Sequence, residues 1–445
     1  MLNKPFNKSV VACAVATSLL LSTGAIADGY KTFKFKELET SANAADWDMA
    51  KPWKLPKGFT QTVISDESDL NIYPEGRDDW HDMNTVNETG PMAGRFMYRT
   101  HEVRLGRGDS VIDEIGGTVS VVDLKTGESK ILVQDVSYTA LDGIRWTPWG
   151  TLVFAEETAG GRFFEIILNE DMMSVAEVID HTAVGRLAHE GIELDKDGNV
   201  YIVDEHRGRS SGCNGVVPCG GGIYKFVPET YGDLSSGSLY VLKVNGADGL
   251  GQGEWVGPID PLTARESGSA VAGQSYQRPE DLEIIGDKLY VAITEGPRDT
   301  ATEYGTLEFQ KELYEGRVIA INLKDMKVTN FVKPGMNVPV EIGKPGEEGH
   351  QTGFDSVDNL AEAPNGDLIM IEDNKPSDIW FASTKTNEFG ASKEVKLFAS
   401  LTDPSAEGTG IYFSPTDPKT LYVNIQHSAA EDGDGTWAIN RGQDD

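Results

Sequence analysis

Cysteine is scarce, three in 445 residues, at positions 13, 213 and 219. So few thiols exclude a disulfide-knit scaffold and a zinc site built from two Cys-x2-Cys pairs. Basic side chains are also in deficit: 39 Lys and Arg stand against 71 Asp and Glu, a formal net charge of −32. Charge of that sign argues against nucleic acid and anionic membrane surfaces as partners. After the first 27 residues no run is apolar enough to span a bilayer, so no membrane insertion is expected. There is no G-x-S-x-G elbow for a serine hydrolase. The glycine-rich "GLGQGEWVG" (249–257) lacks the strand–helix context of a nucleotide-binding loop, so no organic cofactor is expected. Amphipathic helical patterns are few.

What is present begins with an export signal. Lys4 and Lys8 precede an apolar run from Ser9 to Leu21, and Ala25-Ile26-Ala27 is a small-x-small cleavage site. Residues 1–27 therefore read as a Sec-type signal peptide, with no twin-arginine pair, and the mature chain starts at Asp28 in the periplasm or outside the cell. Removing Lys4 and Lys8 leaves 39 − 2 = 37 basic against 71 acidic residues, a net of −34. In an oxidising compartment Cys213 and Cys219, within "SGCNGVVPCGGG", fit a small loop-closing disulfide better than half a zinc site.

Short β-rich runs separated by turns such as Lys196-Asp197-Gly198-Asn199 and Pro364-Asn365-Gly366-Asp367 fill the rest of the chain. "DKDGNV" opens like an EF-hand, but Val200 stands at the obligatory glycine and His206 at the closing glutamate, so a hairpin turn is expected. Five segments share one template of acid or amide, strand, turn, strand and polar end. They are "DGIRWTPWGTLVFAEE" (142–157), "HEGIELDKDGNVYIVDE" (189–205), "PEDLEIIGDKLYVAITEG" (279–296), "DNLAEAPNGDLIMIEDN" (358–374) and "GTGIYFSPTDPKTLYVNIQ" (408–426). "GRFMYRTHE" (94–102) is a weaker earlier member, and 117–133 and 316–332 supply outer strands. Six antiparallel units predict an all-β fold, a β-propeller of about six blades forming a single domain over residues 28–445, with loop insertions. The largest expected insertion is 232–277, rich in Gly and Ser.

In a propeller the residues before the first strand and after the second meet around the axis at one end. That geometry gathers Glu102, Glu156, Glu157, Glu190, Asp204, Glu205, Glu280, Asp281, Glu295, Asp358, Glu372, Asp373 and Glu407 into a ring, with His189 and His427 beside them. Like charges so placed repel unless cations or arginine compensate. Oxygen donors point to a hard cation, above all calcium, with iron or manganese as alternatives. Arg278, just before Pro279 and Glu280, is placed to clamp a phosphate.

The runs "RTHE" (99–102), "TPWGT…EE" (147–157), "HEG" (189–191), "IYKFVPE" (223–229), "RPEDLE" (278–283), "DNLA…NGDL" (358–368) and "FSP…TLYVNIQH" (413–427) resemble those of the PhoX-type alkaline phosphatases. The resemblance implies a propeller with an axial cluster of iron and calcium that hydrolyses small phosphate esters. It carries the metal-ligand role to Glu102, Glu156, Glu190 and Glu280, and to Asp358, Asn359 and Asp373. The reacting groups would be Arg278 and Glu190. One departure matters: the family's "CEE" reads "AEE", so Ala155 stands where the iron-bridging cysteine is expected. A methyl group ligates nothing, so calcium is expected, and an iron pair held by thiolate is expected to be lost or remodelled, with iron left as the alternative metal. The same departure keeps open a calcium-dependent lactonase or esterase, and a non-catalytic calcium-stabilised binding protein.

Overall fold

β-Branched and aromatic residues recur between glycine-bearing turns along nearly the whole chain, and the backbone follows them. The computed structural model describes residues 33–70, 72, 79–104, 115–206, 220–295, 316–343 and 348–442. The signal peptide, its cleavage site, and Cys213 and Cys219 lie outside the described residues. Two early strands, β1 (Trp53–Lys54) and β2 (Phe59–Asp66), precede the first sheet, β3 (His81–Val86), β4 (Phe96–His101), β5 (Thr118–Asp123) and β6 (Glu128–Gln134). The second sheet is β7 (Leu141–Trp146), β8 (Leu152–Gly161), β9 (Phe163–Leu168) and β10 (Val175–Asp180). The third is β11 (Leu187–Leu194), β12 (Val200–Asp204), β13 (Ile223–Thr230) and β14 (Asp233–Asn245), extended by β15 (Gly251–Ile259). The fourth is β16 (Pro279–Ile285), β17 (Lys288–Ile293), β18 (Arg317–Asn322) and β19 (Lys327–Val332). The fifth is β20 (Val357–Glu362), β21 (Leu368–Glu372), β22 (Asp378–Ala382) and β23 (Val395–Leu401). The sixth holds β24 (Glu407–Ser414), β25 (Asp417–Gln426) and β26 (Gly435–Arg441).

Neighbours within each sheet pair antiparallel in chain order. The first strands β3, β7, β11, β16, β20 and β24 each touch the next, and β24 touches β3, so among the described residues the sheets form a six-bladed propeller. The ring is closed by the N-terminal strand. β2 adds to the outer edge of the sixth sheet from Phe59↔Arg441 to Asp66↔Gly435, and β1 adds to β23.

Alternation along each strand divides the apolar residues between two neighbours. Leu152 and Phe154 pack against the first sheet, while Val153 and Ala155 pack against the third. Each of the six junctions therefore carries its own apolar core. Two expectations change. Residues 232–277 begin with the regular fourth strand β14, so the insertion is only β15 and the short helix α1 (Ala264–Ala270). β15 also pairs with β19, tying the third sheet to the fourth. "GRFMYRTHE" is the second strand of its blade; the first, His81–Val86, lies upstream of it.

Candidate metal centre

The innermost strand of every blade slips register against its partner at one equivalent place. The slips fall between His81 and Asn84, Leu141 and Ile144, His189 and Ile192, Pro279 and Leu282, Val357 and Leu360, and Thr409 and Tyr412. A bulge bends the strand and re-aims a side chain that would otherwise alternate away. The residues within the slips are Asp82-Met83, Asp142-Gly143, Glu190-Gly191, Glu280-Asp281, Asp358-Asn359 and Gly410-Ile411. Five of these six pairs begin with a carboxylate. One backbone device, repeated, collects acids at the axis.

Two overlapping groups result. Asp142, Glu157 and Glu190 bring ligand oxygens within 4.8 Å of one another, and so do Glu190, Glu280 and Asp358, with Glu190 common to both. Asp142 Oδ1, Glu190 Oε2 and both Glu280 carboxylate oxygens are buried without a hydrogen-bond partner. Burial, then mutual repulsion, holds Asp142, Glu190 and Asp358 well above the ordinary carboxylate range. Burial likewise pushes Glu157 and Glu280 up to about 8, and Asp82 to about 7. Oxygen donors left without hydrogen bonds in so dry a place fit a hard cation, whose charge would offset their desolvation.

Two guanidiniums border the groups among the described residues. Arg104 bridges Glu102 and Glu157. Arg278 Nε donates to Glu205 Oε1 at 2.6 Å, and Nη2 donates to Asp373 Oδ2 at 3.2 Å. Nε also lies 3.0 Å from Glu280 Oε1, an ion pair without hydrogen-bond alignment. Arg278 adopts φ +51° immediately before its bulge, as Trp80, Ala140 and Ser356 do before the inner strands of three other blades, so the left-handed conformation belongs to the repeat.

Of the residues expected to hold metal, Glu190, Glu280 and Asp358 come together, and Asp373 reaches the rim through Arg278. Asn359 supports instead of presenting a free oxygen. Its Oδ1 accepts from Gly410 N at 2.6 Å, and its Nδ2 donates to Asp358 Oδ1 at 3.1 Å. Glu102 stays outside both groups, held by Arg104 and by Gln426 Nε2 at 3.3 Å. Glu156 is turned away by strand alternation. Arg162 grips it through Nε at 2.9 Å and Nη2 at 2.6 Å, and it also accepts from the backbone N of Thr139. Its neighbour Glu157 takes the place expected for it. Asp281 is likewise committed, accepting from Leu282 N at 2.7 Å and Leu360 N at 2.8 Å. His189 turns into apolar packing beside Phe163, and His427 lies 3.5 Å from Glu407. Ala155 is fully buried in the core between the second and third sheets. Reading the sequence alone missed Asp82 and Asp142; the Asp142-Gly143 and Glu190-Gly191 alignment carried a usable signal for the latter.

The fold and these groups define a β-propeller with a candidate oxygen-donor cation centre buried at its axis. Within that class the chain belongs to the PhoX family: the model described as alkaline phosphatase PhoX matches residues 163–429. The matched span starts at β9 and takes in Glu190, Arg278, Glu280, Asp358 and Asp373. Among solved structures, Pseudomonas fluorescens PhoX in complex with vanadate, a transition-state analogue, is similar at 17% identity and TM-score 0.58, covering 92% of this chain and 98% of that one. A luciferin-regenerating enzyme matches at 12% identity and TM-score 0.44, covering 86% of this chain and 97% of its own. A putative oxidoreductase (glucose dehydrogenase) of Thermus thermophilus matches at 12% identity and TM-score 0.46, covering 86% of this chain and 100% of its own. No curated protein matches the chain by sequence.

Proposed function

We propose that this protein is a calcium-dependent hydrolase of small phosphate esters, working in the periplasm or outside the cell once residues 1–27 are removed. In this reading residues 28–445 form one propeller unit. Family membership supports the phosphatase chemistry, and the buried oxygens of Asp142, Glu190 and Glu280 that lack a hydrogen-bond partner are the observation that carries the metal. Asp142, Glu157, Glu190, Glu280 and Asp358 would hold the cations, with Glu190 shared. Cations bound there would supply positive charge to the phosphoryl oxygens and acidify a water for attack. Ala155 contributes no donor, and an all-oxygen set suits calcium better than an iron pair.

The chain's own residues do the positioning. Arg278 presents a planar fork suited to two phosphoryl oxygens, and Glu205, Asp373 and Glu280 fix its direction before substrate arrives. Asn359 fixes the direction of Asp358. Hydrolysis is an in-line displacement at phosphorus, with loss of the alcohol.

The test is elemental analysis of protein purified without chelators, with turnover of p-nitrophenyl phosphate on the same sample. Calcium at stoichiometric level, with activity lost in EGTA and restored by calcium, is expected. A folded, calcium-loaded protein without phosphate-ester turnover would overturn the reading and direct attention to lactones, carboxylic esters or a binding role. Arg278→Ala is expected to lower kcat/KM about 100-fold, the scale of losing one preorganised donor to a developing oxyanion. Unchanged turnover would remove the clamp role.

A further inference from the structure

Beside the axial oxygens lies a group of a different chemical kind. Asp79 sits just before β3, His81 opens β3 and His101 closes β4, and the register sets the two histidines opposite each other. Their exposures are 1%, 0% and 0%. One ligand atom from each of the three lies within 4.8 Å of the others, and the imidazole rings are 4.5 Å apart at 58°. Both ring nitrogens of His81 are buried without a hydrogen-bond partner. An imidazole always carries at least one N–H, so a ring with neither nitrogen satisfied is a state that buried polar groups rarely keep.

His101 is arranged differently, and to a purpose. Its Nδ1 lies 2.8 Å from the backbone carbonyl of Asp79. A carbonyl only accepts, so Nδ1 carries the proton and Nε2 the lone pair. Metal-ligating histidines are held in this way, one nitrogen anchored on a carbonyl and the other free to coordinate. Nε2 lies 2.8 Å from Ser120 Oγ, a hydroxyl that also accepts from Arg99 Nε at 3.1 Å, so an ion on Nε2 would displace the Ser120 hydrogen bond and leave Ser120 Oγ on Arg99. Burial, and after it the neighbouring charges, hold both rings in the neutral form that ligates metal: His101 titrates near 3 and His81 well below its ordinary value. Arg99 opposes a cation here, and the Asp79 carboxylate offsets it.

We propose that Asp79, His81 and His101 form a binding site for a single transition-metal ion of the zinc class. It shares no residue with the axial groups and stands independently of the phosphatase reading. Two imidazoles and one carboxylate suit zinc or cobalt, whereas the all-oxygen groups suit calcium, so donor type sorts the metals. With all three ligands buried, the ion enters as the blade forms and ties the approach to β3 onto the end of β4. That end of the first blade already meets the sixth through Arg99, which donates to Thr436 Oγ1 at 3.0 Å and Ser65 Oγ at 3.2 Å.

The experiment is to produce the full chain in cobalt-supplemented medium, keep calcium in excess through purification, and measure metal content, visible absorption and cobalt-edge X-ray absorption. One cobalt per chain with scattering from two imidazoles is expected. His81→Gln should reduce cobalt content at least ten-fold while leaving calcium content and phosphate-ester turnover as they were. Folded wild-type protein that retains no cobalt, or that shows fewer than two imidazoles, overturns the site. Should His81→Gln fail to fold, the wild-type X-ray absorption decides alone.

Discussion

Glu190 and Glu156 are both buried glutamates near the axis, yet they have opposite surroundings. Glu190 has an oxygen with no hydrogen-bond partner and belongs to both carboxylate groups; Glu156 is gripped by the Arg162 fork and by backbone N–H groups. Glu190→Gln keeps the shape but removes the charge shared by the two groups. It is expected to lower calcium content and to reduce phosphate-ester turnover by at least about 100-fold, the upper range found for outer-shell changes and a floor for a ligand. The same change should raise the stability of the calcium-free protein near neutral pH, because a buried carboxyl that must take up a proton or hold a repelled charge is gone. Glu156→Gln should do the reverse. It breaks a buried ion pair and is expected to lose about 1–3 kcal/mol in denaturant unfolding, with calcium content retained. Equal loss of calcium from both variants would mean that the two residues act as one site.

The inner-strand bulge brings acids to the axis, and small residues let neighbouring bulges approach. A Cβ at Gly143 would come within 1.9 Å of the Glu190 carbonyl, and one at Gly191 within 2.2 Å of Asp281 Oδ1 and 2.6 Å of its Cα. Gly191→Ala therefore forces the third and fourth blades apart, and a loss of about 2–4 kcal/mol in chemical denaturation is expected. Gly127 has nothing within 4 Å of such a Cβ, but φ +76° strains any substitution there, so Gly127→Ala measures the backbone penalty alone. Gly191 itself does not lie at positive φ, so a Gly191→Ala loss no larger than about 1 kcal/mol would show that the neighbouring blade yields to the added methyl group. This repeated hairpin is what made the fold legible, since "DGIRW…", "HEGIEL…" and "DNLAEA…" each print the acid, the bulge and the turn within twenty residues. The first blade was legible only in its second strand, because Asn87 to Arg95 separate β3 from β4 and hide Asp82. The pairing of β2 with β26 leaves no local pattern, as its partners stand at opposite ends of the chain. At the site, alternation decides between Glu156 and Glu157, and a run of two acids does not state which of them faces the axis.

Across the whole molecule the buried acids make stability depend on pH and, on the proposed function, on calcium with it. Burial holds Glu157 and Glu280 near 8 and Asp82 near 7 in the metal-free fold, against 4.5 and 3.8 when unfolded. Over that interval the folded chain binds more protons than the unfolded chain, so stability falls as pH rises. The buried histidines act in the opposite sense, but only at lower pH. His81, His101 and His189 are held below 6.5, so the unfolded chain takes up their protons as pH drops past that value. Above about 6.5 the carboxylates alone set the slope. Protein in EGTA is therefore expected to lose Tm steadily from about pH 6.5 to about pH 8.5. On the proposed function calcium would bind the ionised carboxylates, so its affinity is expected to rise across the same window; at 100 times Kd it would add about 2.7 kcal/mol to the folded state. The Tm of calcium-saturated protein should stay level, and the gap between the two curves should widen with pH. Sodium chloride at matched ionic strength should not close the gap, because screening acts weakly on charges this deeply buried. A gap that is constant with pH would show that calcium binds away from the axial carboxylates.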